Sequence, residues 1–215
     1  GTSLANLIMG KVAPSGRLPM TFPMGEGQIP FYYNYKMPSR LMAKSPKLIN
    51  DIPVRAYQFS IGETSYWLEY GNKPLYPFGY GLTYTTFEYG AVQLSDTILS
   101  ISGKPQSIIA SCEITNTGHC DAVAVPQLYI RDVVGTLTRP LRELKGFQRV
   151  NIPAGETRTV SFEISEQDLA YWHLADGVTL GSDGEYAFSA EKGDFHVWIA
   201  PNAVEGQYIP FTLVE

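Results

Sequence analysis

The sequence predicts a mainly β protein in which residues 85–215 fold as a β-sandwich and residues 1–84 hold little regular structure. Three observations carry this. Short runs rich in β-branched and aromatic residues recur throughout the C-terminal region. Turn formers such as Asn116-Thr117-Gly118 and Pro153-Ala154-Gly155-Glu156 separate them. Along residues 157–164 apolar and polar side chains alternate, so that Val160, Phe162 and Ile164 share one face. One face buried and one wet is the pattern of a sheet packed on a second sheet.

Taken from the N-terminus, Leu4, Leu7 and Ile8 have the spacing of one helical face, with Gly10 placed as the stop. Residues 17–23 read as a short strand bounded by Pro19 and Pro23, after a turn at Ala13-Pro14-Ser15-Gly16. One short helix and one edge strand cannot bury enough apolar surface to offset their ordering entropy, so they are expected to lean on a larger body. The chain opens on Gly rather than Met, so a processing site, an expression boundary and a cut within a longer protein are all open as readings of its start.

From residue 25 to 72 periodicity fails, while Pro30, Pro38, Pro46 and Pro53 recur and Tyr32, Tyr33, Tyr35, Tyr57, Tyr66, Trp67 and Tyr70 accumulate. Disordered chains are poor in aromatics, so this is expected to be a long ordered loop laid against a surface. Its basic residues, Lys36, Arg40, Lys44, Lys47 and Arg55, are too dispersed for an anion site. Residues 76–87 then form a stiff connector: Pro77 fixes φ, Gly79 and Gly81 admit positive φ, and Tyr76, Phe78, Tyr80 and Tyr84 supply area with few rotamers to freeze.

Within the sandwich, strands are expected at residues 107–114, 122–130, 145–150, 157–164, 184–189 and 193–199, with Ser182-Asp183-Gly184 as a hairpin turn. Pro126 places its strand at an edge or on a bulge. Residues 166–172 read as one helical turn capped by Ser165, and Trp172 and Trp198 as core anchors. About seven strands over this length indicate the immunoglobulin or fibronectin type III arrangement.

Charge and composition exclude several functions. A net charge of −5 without any Lys/Arg run argues against nucleic acid. No stretch approaches the ~20 apolar residues of a membrane helix. Cys112 and Cys120 flank a turn where a local bridge would fit, but two packed, unpaired thiols are the expectation. Cys120 beside His119 is not a thiol–imidazole pair, because neighbours on a strand point to opposite faces. His119, His173 and His196 have no ligand spacing, so neither a metal site nor a cofactor is expected.

The chain resembles the C-terminal part of glycoside hydrolase family 3 β-glucosidases. The segment Lys11-Val12-Ala13-Pro14-Ser15-Gly16-Arg17-Leu18-Pro19-Met20-Thr21-Phe22-Pro23 is similar to the stretch closing that family's middle α/β-sandwich domain. Gln28-Ile29-Pro30-Phe31-Tyr32-Tyr33-Asn34 and residues 74–84 resemble the segments that bracket its interdomain loop. Asn116-Thr117-Gly118, Gln127-Leu128-Tyr129, Arg139-Pro140, Leu144-Lys145-Gly146-Phe147 and Pro153-Ala154-Gly155-Glu156-Thr157 look like marks of its fibronectin type III-like domain. The sequence departs from the pattern at Ser39-Arg40, where the family often has Gly-Arg, and in a longer loop from Leu41 to Tyr66.

The resemblance implies three parts: residues 1–24 as the end of the α/β-sandwich domain, 25–84 as interdomain loop and connector, and 85–215 as the fibronectin type III-like domain. It implies a retaining β-glucosidase acting on terminal β-linked glucose, with partners in the upstream catalytic domains and a β-glucoside reached through the assembled site. Retention needs two carboxyl groups about 5–5.5 Å apart. The family draws these from upstream domains, and no motif here matches them, so no catalytic residue is assigned and the chain alone is expected to be inactive. Substrate-proximal candidates in the loop are Tyr32, Tyr33, Arg40, Tyr66 and Trp67, with packing the commoner role for such aromatics. Asp51, Glu63 and Glu69 are expected to be solvated, and Arg139 to Glu143 to carry an interdomain ion pair. A stand-alone carbohydrate-binding module is the alternative. The family points to a periplasmic or secreted location, and assembly into homo-oligomers is left open.

Overall fold

The structure is a computed structural model and describes residues 1–36, 41–42, 46–56, 64–175 and 186–215. Arg40, Glu63, Lys44, Tyr57 and the turn at Ser182-Asp183-Gly184 lie outside the described residues.

Helix α1 (Thr2–Ile8) ends as the sequence indicates. Gly10 takes φ +69°, its N–H donates to the Leu7 carbonyl, and the Lys11 N–H donates to the Asn6 carbonyl. These two bonds satisfy carbonyls that the helix end leaves open. The apolar face stays in solvent, with Leu4 63% and Ile8 72% exposed. The strand expected at residues 17–23 is not formed as such. Instead the extended segment bonds the connector at two points, through Leu18 to Tyr80 and Gly79, and through the Phe22–Tyr76 bridge. Pro19 and Pro23 have no N–H to continue a ladder.

The loop holds two-residue strands β1 (Leu41–Met42) and β2 (Thr64–Ser65), which pair in parallel, and one-turn 3-10 helices at Glu26–Gln28 and Ile49–Asp51. Gln28, 1% exposed, pins it by accepting from the Met24 N–H at 2.7 Å and donating to the Lys73 carbonyl at 3.2 Å.

The sandwich begins with β3 (Phe87–Tyr89), β4 (Gln93–Leu94) and β5 (Ile98–Ser100), followed by β6 (Ser107–Asn116), β7 (Ala122–Ala124) and β8 (Gln127–Asp132). It continues through β9 (Glu143–Phe147), β10 (Val150–Ile152) and β11 (Thr157–Ser165), then α2 (Glu166–Leu169) and β12 (Tyr171–Leu174). The strands β13 (Tyr186–Ser189), β14 (Gly193–Ala200) and β15 (Ile209–Val214) complete it. One sheet has the order β11-β6-β3, with β4 also on β6; the other has the order β5-β15-β14-β8-β9. Two ribbons, β7 with β10 and β12 with β13, flank them.

Between the sheets, Ile108, Ala110, Cys112 and Ile114 of β6 and Val160, Phe162 and Ile164 of β11 meet Leu128, Ile130, Phe195, Val197, Ile199, Phe211 and Leu213. The period-two pattern of β11 is thus the core face of the first sheet.

Four expectations inside the sandwich are corrected. The run at 122–130 is two strands in different sheets, because Pro126 interrupts it: β7 pairs β10, while β8 lies between β14 and β9 rather than at an edge. Its bulge falls at Leu128/Tyr129. The helical turn opens with Ser165 N–H and Oγ–H both donating to the Asp168 carboxylate and stops at Leu169, after which Tyr171 resumes strand. Trp172 therefore points outward, 64% exposed and packed on its cross-strand partner Phe188, whereas Trp198 is 5% exposed. The ion pairs of Arg139, to Glu143 at 3.2 Å and Asp132 at 3.7 Å, join residues of the sandwich rather than two domains. Cys112 and Cys120 are both free thiols, as the sequence suggests.

Candidate functional site

In β8 both faces are buried. Leu128 and Ile130 face the core, and Gln127 and Tyr129, on the opposite face, are covered by the connector and the aromatic loop. That outer cover makes a second cluster in which Tyr129, Trp198, Ala200 and Ala203 pack with Tyr33, Phe78 and Leu144. Tyr33 stacks on Phe78 at 4.1 Å between centroids and meets Tyr129 edge-on at 6.3 Å, while its hydroxyl accepts from the Leu144 N–H at 3.3 Å. The edge-on contact is one that aromatic quadrupoles favour.

Beside this cluster opens a cavity of about 320 Å³. The loop supplies Phe31, Tyr32, Tyr33 and Tyr35; Pro74 and the connector residues Pro77 and Phe78 follow; the sandwich supplies Arg131, Arg142 and Trp198. Backbone pairing closes one wall, where the Leu141 N–H donates to the Tyr35 carbonyl at 3.0 Å and Lys36 bridges Pro140. The Arg142 guanidinium lies 4.3 Å over the Trp198 ring and donates to the Glu205 carbonyl at 2.7 Å. Burial lowers its pKa to about 10, with Tyr129 and Tyr35 acting the other way, so it remains a cation at neutral pH. Burial likewise raises the Tyr35 and Tyr129 phenols, keeping both neutral.

Of the five loop candidates, Tyr32 and Tyr33 line this cavity. Tyr33 is committed to packing; Tyr32, 65% exposed, is not. Trp67 stands behind the cavity wall, 5.0 Å from the Phe31 ring, and Tyr66 is half-buried without lining the cavity. Arg40 lies outside the described residues. Two residues central to the seam, Gln127 and Arg142, are absent from the expected set. A glutamine directly after a proline in an otherwise apolar strand was the available signal, because a buried amide must be paired.

A second polar cluster has carboxylates displaced in opposite directions. Burial pushes Asp132 up, against the pull of Arg139. Burial also acts to raise Glu191, but hydrogen bonds from Thr136 and Tyr171 and the charge of His173 outweigh it and leave the group below its usual range. The Tyr171 hydroxyl, buried and bonded to Glu191, is pushed up to about 12, and Arg139 lies 3.8 Å over its ring. Opposed shifts can mark an acid/base pair. Here each group is consumed by protein partners and none lines the seam cavity, so the cluster acts as a clasp between residues 132–139 and the β12–β13 ribbon. Among the described residues no group of His, Cys, Asp and Glu is placed to hold a metal, and no helix is long and apolar enough to cross a membrane.

Two family models match the chain. Residues 1–84 match the Glycosyl hydrolase family 3 C-terminal domain, and residues 124–203 match the Fibronectin type III-like domain. A periplasmic beta-glucosidase of Salmonella typhimurium is 35% identical over 100% of this chain and 25% of its own length. A putative beta-xylosidase of Formosa agariphila is also 35% identical, over 98% of this chain and 23% of its own. Among solved structures, the beta-glucosidase from Listeria innocua in complex with gluconolactone superposes with a TM-score of 0.76 at 28% identity, covering 99% of this chain and 26% of that one. The chain spans about a quarter of the length of the curated relatives it matches.

Proposed function

We propose that this chain, which belongs to glycosyl hydrolase family 3 and forms a C-terminal portion of its architecture, serves a retaining β-glucosidase that removes terminal β-linked glucose from oligosaccharides or β-glucosides. Its part is to brace and position, and the reaction requires the upstream barrel and α/β domains. The single observation that carries this is the seam. Gln127, Tyr33 and Phe78 weld the aromatic loop and connector onto the outer face of the five-stranded sheet, while the chain's described carboxylates are solvated or tied into ion pairs and hydrogen bonds. A rigid plate carrying an aromatic loop suits a wall beside a catalytic centre built elsewhere.

The relatives are larger enzymes of which this region is one portion, so the partner is the remainder of the same enzyme. The three parts proposed are residues 1–24, 25–84 and 85–215, the last beginning just before β3. The exposed apolar face of α1 supports the first, since Leu4, Ile8, Met9 and Val12 gain burial only against another surface. Tyr32 is the loop residue best placed to approach substrate; Tyr33, Tyr66 and Trp67 then act by packing.

The test is hydrolysis of an aryl β-glucoside, with the anomer of the first-formed sugar followed by NMR. The full-length protein is expected to release β-glucose, and residues 1–215 alone to release none. Turnover by this chain alone, an inverted product, or no turnover by the full-length protein would each overturn the proposal.

A further inference from the structure

We propose that the seam cavity binds a small sugar carboxylate of the uronate class, a ligand chemically different from the neutral glucoside of the proposed reaction. The charge inventory comes first. Lys73, Arg131 and Arg142 all line the cavity and, among the described residues, no Asp or Glu does, in a chain whose net charge is −5. Arg142 is held in place by the Trp198 ring and the Glu205 carbonyl, yet forms no ion pair among the described residues, and neither do Arg131 or Lys73. A partly buried guanidinium without a counter-ion is costly. An incoming carboxylate offsets that cost with charge-assisted hydrogen bonds.

The neutral part of the lining selects the rest of the ligand. Thr21, 8% exposed, lines the cavity, and its Oγ1 is buried without a hydrogen-bond partner among the described residues. Such a hydroxyl loses free energy until a ligand supplies a donor or acceptor, and a sugar hydroxyl does both. Phe31 and Tyr32 add ring surfaces suited to the C–H faces of a pyranose. The volume of about 320 Å³ takes one or two such rings. A carboxylate fixed to a ring also has few torsions to freeze on binding, unlike an acidic peptide.

Titration of the full-length protein with glucuronate at low salt, followed by calorimetry and by ligand-detected NMR, tests this. Saturable binding is expected, weakened by added salt. R131Q, K73Q and T21A should each weaken it by at least about threefold, and R131Q combined with K73Q by at least about tenfold, with unchanged circular dichroism. Glucose and benzoate, which carry only the ring hydroxyls or only a ring-borne carboxylate, should bind at least about tenfold more weakly. The proposal is overturned by absence of saturable binding, by glucose or benzoate binding as tightly as glucuronate, or by binding indifferent to all the substitutions. The hydrolysis assay is independent of each of these outcomes, so this proposal and the proposed function fail separately.

Discussion

The Gln127 carboxamide nitrogen donates to the Gly79 carbonyl oxygen at 3.1 Å and, with its second hydrogen, to the Pro201 carbonyl at 2.7 Å. Its oxygen accepts from the Tyr129 hydroxyl at 2.5 Å. One side chain, 3% exposed, thus ties the connector, the β14–β15 loop and β8 together. In Q127L, three buried polar groups lose their partner at about 1–3 kcal/mol each before relaxation, so a loss of roughly 3–5 kcal/mol is expected. Q127E should be worse than Q127L, because a carboxylate cannot donate to two carbonyls and brings an unpaired buried charge. Urea midpoints should rank wild type, Q127L, Q127E in falling order. A Q127L protein as stable as wild type would remove Gln127 from its role as the tie.

Gly79 faces that same amide from the other side, and its φ of +79° is reached at low cost only without a Cβ. A Cβ there would stand 2.0 Å from Gln127 Oε1, so Ala must displace the amide as well as accept the strained backbone. Roughly 1–2 kcal/mol for the left-handed conformation adds to the disturbed hydrogen bonds, and a loss of at least about 3 kcal/mol is expected for G79A. The cycle with Q127A checks the mechanism. Once the amide is gone, G79A should cost only its backbone strain, giving a coupling of about 1 kcal/mol or more in equilibrium unfolding. Strict additivity would show that the two residues do not act on one another.

How far these features were legible in the sequence depends on whether a local or a distant partner decides them. The stop of α1 at Gly10 and the core face of β11 follow from spacing within a few residues, and the structure has both. The fate of residues 122–130 depended on Pro126, which the sequence marks as a disruption without saying that the chain would change sheets there. Trp172 was misplaced for a similar reason. Its parity is fixed by strand resumption at Tyr171, and an early end to α2 turned the ring outward. In the candidate site, Tyr32 and Tyr33 were legible as aromatics in an ordered loop. Arg142 was not, since what sets it apart is the Trp198 ring and the Glu205 carbonyl, about 60 residues away along the chain.

Acid sensitivity should be traceable to Glu191. Its carboxylate accepts from the Thr136 N–H at 2.8 Å and from the Thr136 and Tyr171 hydroxyls, and lies 3.6 Å from His173 Nδ1. Its folded pKa is below the model-compound value of 4.5. A carboxylate depressed on folding stabilises fully above its unfolded pKa, and that contribution is lost as pH falls through the folded value. Asp132, raised by burial, carries the opposite sign and partly masks the effect in the wild type. The gap in urea midpoint between wild type and E191Q should therefore be widest at pH 7 and shrink below about pH 4.5. A gap that is the same at pH 7 and pH 3.5 would show that the glutamate's charge is not what holds the clasp.

The two thiols should report separately on the core and on the edge of the first sheet. Cys112 sits on the inner face of β6, 3% exposed, with its S–H directed at the Gly90 carbonyl at 3.2 Å. Burial pushes its pKa up, the Gly90 backbone contact opposes this, and Glu113 adds to the rise. Both access and thiolate fraction are therefore low, and the thiolate is the reacting species. Cys120 is half-buried beside the Asn116–Gly118 turn, its S–H toward the Tyr84 carbonyl at 3.3 Å. Under native conditions a thiol reagent should modify Cys120 at least about tenfold faster than Cys112, whose rate should follow the global opening of the sandwich. In denaturant both should react, giving two equivalents for the two cysteines of the chain. Equal native rates would contradict the packing of β6 against β14, and fewer than two equivalents after unfolding would mean that the pair is oxidised.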